Sequence, residues 1–203
     1  MTGTSEKAAL DDRLAGTALF SCTILSVVAM GHHPSNFELG TLSNIVHGAM
    51  LVVVVMTLSG FAYFASGRGL GRFSVLVGLV VYAAGAVANI MAATINGFAV
   101  VDVARHDVSN DIFAFAWALN QAFAYGAVYA TSAAFTLWGL DLVARECGWA
   151  RRLGVVGLIA GIVPAAMLAG AAVHMDVAGA FTIYVLQSIF AALVGIYLLR
   201  GRR

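Results

Sequence analysis

The chemistry available to this chain starts with five histidines: His32, His33, His47, His106 and His174. Carboxylates accompany them. Glu38 follows His33, Asp176 follows His174, and Asp102, Asp107 and Asp111 flank His106. Neutral imidazole with carboxylate is the usual donor set for Zn, Cu or Fe, and imidazole is also the side chain that changes charge near neutral pH. The residue types therefore predict a transition-metal site built from His47 with His33 or His32, His174, and Glu38 or Asp176. Haem held between two inward imidazoles is a variant of the same expectation. His47 carries the most weight, because it lies inside an apolar run where an ionisable group marks a functional position by default. His32 and His33 are neighbours, so on a helix they point in different directions. His106 and Asp107 read as solvated loop residues.

A second set of polar groups lies in runs that are otherwise apolar: Asn89, Thr94, Asn96, Asn120, Gln121 and Gln187. Amides in hydrocarbon need partners. The set predicts a polar cavity just below the histidines, lined by Asn89, Asn96, Asn120, Gln121 and Gln187. Tyr82, Tyr125, Tyr129, Trp117 and Trp138 are further candidates for its walls.

These groups need a frame, and composition names it. The chain has 203 residues, of which 61% are hydrophobic and 10% charged, with 22 glycines and two prolines. Soluble domains carry about 25% charged residues. Six apolar runs stand out, at roughly 14–31, 44–66, 73–100, 112–140, 153–173 and 179–199. Each is long enough to cross about 30 Å of hydrocarbon at about 1.5 Å per residue. The fold class expected is an all-α integral membrane protein, a six-transmembrane-helix bundle. Residues 1–13 read as a polar cytoplasmic tail and 14–200 as one membrane domain. The first run resembles a secretory signal in length, but the charges before it nearly cancel, so it reads as a retained helix.

Basic residues set the orientation. Lys7, Arg13, Arg68, Arg72, Arg145, Arg151, Arg152, Arg200, Arg202 and Arg203 fall at alternate ends of the runs, and Arg105 is the one exception. That predicts an N-in, C-in protein of the cell inner (plasma) membrane, with three outward-facing hairpins. All five histidines then face outward. The alanines of the fourth run (Ala114, Ala116, Ala118, Ala122, Ala124 and Ala127, with Gly126) predict a narrow helix through the centre of the bundle. Pro164 is expected to kink the fifth helix.

Several classes are excluded by residues that are missing. The one lysine, Lys7, precedes the first run, so no retinal Schiff base forms within the membrane. There is no phosphate-cradling Gly-rich loop and no HExxH or CxxCH motif. Cys22 and Cys147 are isolated, which argues against a disulfide framework or a thiolate site. No basic patch with interleaved aromatics points to nucleic acid. Three readings stay open: a metal- or small-molecule-binding site on the outer side, extending to a metal-dependent membrane enzyme; a small permease, metal-uptake component or pH-responsive sensor; and a structural subunit of a membrane complex. The partners expected are the lipid bilayer, a ligand from the outer side, and a second copy or other membrane protein.

Overall fold

Helical hydrogen bonding does not stop where hydropathy falls, and the helices overrun the apolar runs that announce them. The structure is a computed structural model describing residues 2–32, 40–106 and 109–201. Its helices are α1 (Thr2–Gly31), α2 (Gly40–Arg68), α3 (Phe73–Arg105), α4 (Asn110–Arg145), α5 (Gly148–Ala169) and α6 (Val177–Leu199), with no strand among the described residues. All six are long and apolar enough to cross a membrane. The polar segment before residue 14 is not a separate tail but the first turns of α1. It contains no proline, and Asp12 is held by the Tyr63 hydroxyl of α2 at 3.0 Å. α5 is displaced toward the N-terminus of its run because Ala171, at φ 52°, turns the chain just past its end. Pro164 stays buried inside α5.

The helices pack as a ring in chain order, and α1 closes the ring against α6. Small residues allow the tightest approaches. A Cβ on Gly16 would lie 2.7 Å from the carbonyl oxygen of Gly195, and one on Gly139 would lie 2.8 Å from that of Gly154. The expectation of a central α4 is not met. α4 packs chiefly on α3 and α5, while Ala114, Ala118, Ala122 and Gly126 form an exposed row. A ring spends its small residues at seams between neighbours and leaves the middle to side chains.

One end of the bundle gathers arginines. There the Asp141 carboxylate, 1% exposed, receives Arg68 at 2.7 Å, Arg145 at 3.1 Å and Arg72 at 3.5 Å. Ser74 donates to it at 3.4 Å, and Arg68 also pairs with Glu146. This network ties the end of α2 and the start of α3 to the end of α4. In the sequence these residues register only as loop charges. Nearby, the Arg200 guanidinium sits 5.5 Å over the Trp149 ring, joining the ends of α5 and α6.

Above the ion pairs lies an aromatic layer. Phe61 is its centre, with the rings of Tyr82, Trp138 and Phe135 at 4.7, 5.1 and 5.4 Å, and Phe190 packs on Phe135 at 4.8 Å. The Trp138 indole N–H donates to the Val75 carbonyl at 3.2 Å and lies against Gly78, where a Cβ would sit 2.6 Å from its nitrogen. Trp138 is therefore a core residue rather than a cavity wall.

The ion network yields a graded prediction. Asp141→Asn leaves Arg68, only 9% exposed, without its principal counter-charge. The expected cost is up to about 3–5 kcal/mol, as for breaking a buried pair. Arg145→Gln removes a partner that is 57% exposed and should cost less than about 1 kcal/mol. Thermal unfolding of both variants in detergent checks the ranking.

Candidate functional site

His47 lies one turn above Ser43 on α2, and this spacing fixes its ring. Its Nδ1 is 2.8 Å from the Ser43 carbonyl oxygen and 3.3 Å from the Ser43 hydroxyl. A carbonyl only accepts, so Nδ1 carries the proton and Nε2 is left as an acceptor. The Asn96 amide donates to Nε2 at 3.2 Å. Asn96 belongs to a π-helical turn, Ile95–Ala99, within α3. Such turns are frequent at functional sites. The next residue, Gly97, lies flat against the imidazole: a Cβ there would overlap His47 Cβ and come within 2.6 Å of Cγ. His47 is 2% exposed and fully oriented.

The ring of helices encloses a cavity of about 140 Å³ toward the histidine-bearing end. Residues of α1, α2, α3, α4 and α6 line it. All five amides expected at a cavity (Asn89, Asn96, Asn120, Gln121 and Gln187) line this one, together with His47 and Asp176. Between them lie apolar surfaces, including Met30, Met50, Trp117, Met175 and Ile183. The amides are not equivalent. Gln187 Nε2 donates to Ser132 Oγ at 3.1 Å and to the Val128 carbonyl at 3.4 Å, joining α6 to α4. Asn89 meets the Tyr184 hydroxyl, which also faces Ser26. Asn120 is 7% exposed, yet its amide makes no hydrogen bond to another side chain or to the backbone among the described residues. Its polar atoms are turned to the cavity.

A second chamber of about 60 Å³ continues toward the aromatic layer. Asn89, Thr131, Tyr184 and Gln187 line both spaces and form a collar between them. Tyr82 reaches this inner chamber, and Trp117 lines the outer one. Tyr125 and Tyr129 line neither; Tyr125 packs beside Val128, Leu168 and Ile183.

The remaining histidines do not converge on His47. His32 is exposed and its Nδ1 donates to the Val28 carbonyl at 2.9 Å. His106 does the same with Asp102 at 2.8 Å. His174 is exposed and outside the cavity wall. Asp176 lines the cavity rim, but its Oδ1 caps α6 by accepting from the Gly179 N–H at 2.7 Å. His33, Glu38 and Asp107 lie outside the described residues. No three His, Cys, Asp or Glu side chains among the described residues are placed to hold one metal ion. The expected metal cluster of His32, His47, His174 and Asp176 is therefore not assembled. The physical reason is local: His32 is bonded back to its own helix, and both nitrogens of His47 face partners. The haem variant meets the same obstacle, since His47 is the one inward imidazole among the described residues. Thr94 is exposed and faces a groove on the outside of the ring.

Reading residue types missed Tyr184, the pairing of Ser43 with His47, and the Thr23 and Ser26 hydroxyls of the inner chamber. A signal existed for two of them. Tyr184 lies three residues before Gln187, and Ser43 four before His47, so each shares a helical face with a residue already singled out. No family model, curated protein or solved structure matches the chain, so the site is read from its own residues.

Gly97→Ala tests the packing of this corner. The added methyl forces His47 or the π turn to move, at an expected cost of about 1–3 kcal/mol, while Gly126→Ala, with nothing within 4 Å, should be silent. Nitrogen NMR of labelled histidine should separately show His47 as the Nδ1–H tautomer in the wild type.

Proposed function

We propose that this multi-pass membrane protein binds a small uncharged, hydrogen-bonding molecule in its amide-lined cavity, reached from the outer face of the plasma (inner) membrane. Asn120 is the observation that carries the reading. The chain gives its amide no bond of its own and leaves its polar atoms open to the cavity rather than sealed, and in a membrane bundle nothing outside the cavity can supply a partner. The ligand is uncharged because the walls offer amides, hydroxyls, thioethers and one neutral imidazole. The single carboxylate among the described lining residues, Asp176, is engaged as a helix cap. Apolar strips beside the amides suit a molecule with a hydrocarbon portion. Binding is favoured over metal-dependent chemistry because both His47 nitrogens already face Ser43 and Asn96.

The orientation proposed is N-in and C-in, from the ten basic residues gathered toward one end against Arg105 at the other. A carrier is a second reading. It is favoured by the cavity's depth, since the collar lies partway along the bundle, where carriers place their substrates, and the aromatic layer and ion pairs close the opposite end. Flux into proteoliposomes distinguishes a carrier from a receptor.

Purified protein in lipid nanodiscs, offered a panel of small neutral amides, ureas and alcohols, should retain at least one compound by native mass spectrometry. Asn120→Leu should weaken that retention about tenfold. Retention of charged compounds only, or none, counts against the reading. Zn, Cu or Fe bound one per chain and lost in His47→Ala would replace it with a metal site. For orientation, a membrane-impermeant thiol reagent should leave exposed Cys147 unlabelled in intact cells while labelling a cysteine placed at exposed His174; the reverse pattern overturns the topology.

A further inference from the structure

The inner chamber has a directional character that the outer cavity lacks. Thr23, 3% exposed, donates its hydroxyl proton to the Leu19 carbonyl at 2.7 Å. Ser26, 5% exposed, donates to the Cys22 carbonyl at 2.9 Å. Both protons are committed to the backbone of α1, so both oxygens act as acceptors, Thr23 toward the chamber and Ser26 beside the Tyr184 hydroxyl that faces it. Across the chamber, Gln187 spends its Nε2 on Ser132 and Val128, which leaves its carbonyl oxygen as the available group. The groups whose hydrogen-bond direction is fixed by geometry, Thr23, Ser26 and Gln187, are thus acceptors contributed by two helices that close the ring. The hydroxyls of Thr57, Tyr82, Thr131 and Ser188 also line the chamber and rotate to accept or donate. No Asp, Glu, Lys, Arg or His among the described residues lines it.

Acceptors without a negative charge match a neutral donor. A full cation would be taken out of water with no counter-charge within the chamber, which is costly. A hydroxyl or amide N–H carries its proton in without that penalty.

Resting on the cavity being a ligand site, we propose that the inner chamber is the specificity subsite: it takes the hydrogen-bond-donating head, a hydroxyl or primary or secondary amide, of a neutral amphiphile. The apolar body of the ligand lies in the outer cavity beside Met30, Met50 and Trp117. The collar of Asn89, Tyr184 and Gln187 grips the junction. The outer amides, Asn120 and Gln121, contact whatever polar groups the body carries.

Benzyl alcohol and anisole test this directly. They are isomers with one ring and one oxygen, and only the alcohol donates. Binding to wild-type protein in nanodiscs is measured by saturation-transfer NMR and dialysis, with empty nanodiscs subtracted. The alcohol should bind about fivefold more tightly than anisole, the worth of one net hydrogen bond. That preference should vanish in Thr23→Val/Ser26→Ala and persist in Asn120→Leu, even if both compounds bind Asn120→Leu more weakly. The wild-type comparison stands without the double variant, should that variant fold poorly. Equal binding of the two isomers overturns the donor subsite while leaving the cavity reading intact. Binding of neither isomer also overturns it, and the cavity reading is then judged by the panel experiment alone. Sodium ion that stabilises the wild type but not the double variant would overturn it in favour of a cation site.

Discussion

In hydrocarbon, a polar side chain away from the helix ends must be satisfied from inside the protein. The interior of this bundle is arranged around that constraint. Thr23 and Ser26 return their protons to α1, Gln187 crosses to α4, and Asn96 crosses to His47 on α2. Each bond settles a polar group and also ties two turns or two helices together. Asn120 differs, being buried and lining the cavity without a bond to the rest of the described chain. An amide that the chain itself leaves unbonded at a cavity wall is the feature on which the proposed binding reading rests.

The cavity exists because the helices form a ring rather than a cluster about one central helix. Gly16 with Gly195 and Gly139 with Gly154 draw neighbouring backbones together at the seams. Close seams draw neighbouring helices together while the interior stays wide enough for side chains and a cavity of about 140 Å³. The aromatic layer around Phe61 then packs ring on ring across the interior. Below it, Asp141 gathers three arginines where an isolated carboxylate would be intolerable. The result is a bundle polar and hollow toward one end, and filled and locked toward the other.

The π turn at Ile95–Ala99 joins these themes. It lets Asn96 reach His47 and seats Gly97 against the imidazole. A titratable group is thereby held in one tautomer at the wall of the cavity. His47 so placed is a hydrogen-bonding surface of fixed polarity rather than an open metal ligand.

How much was legible in the sequence depends on the range of the interaction that decides each feature. Helix number followed from run length and composition, because hydrocarbon thickness is a one-dimensional constraint that a sequence records directly. The amide set was legible for the same reason: Asn89, Asn96, Asn120, Gln121 and Gln187 are costly in apolar runs, so their presence at a shared depth already required a common interior. Tertiary structure alone decided the rest. Their places at the outer ends of separate runs left open whether His32 and His174 turn toward His47 or away, and packing turned them away. Asp141 follows the fourth apolar run with nothing nearby in sequence to mark it, and only the packing of α2 and α3 brings Arg68 and Arg72 to it. Hydrogen-bond direction in the inner chamber depends on which carbonyl each hydroxyl finds. Residue type specifies what a group is able to do; only the folded chain determines which partner it meets, because partners far apart in sequence become neighbours only when the ring closes.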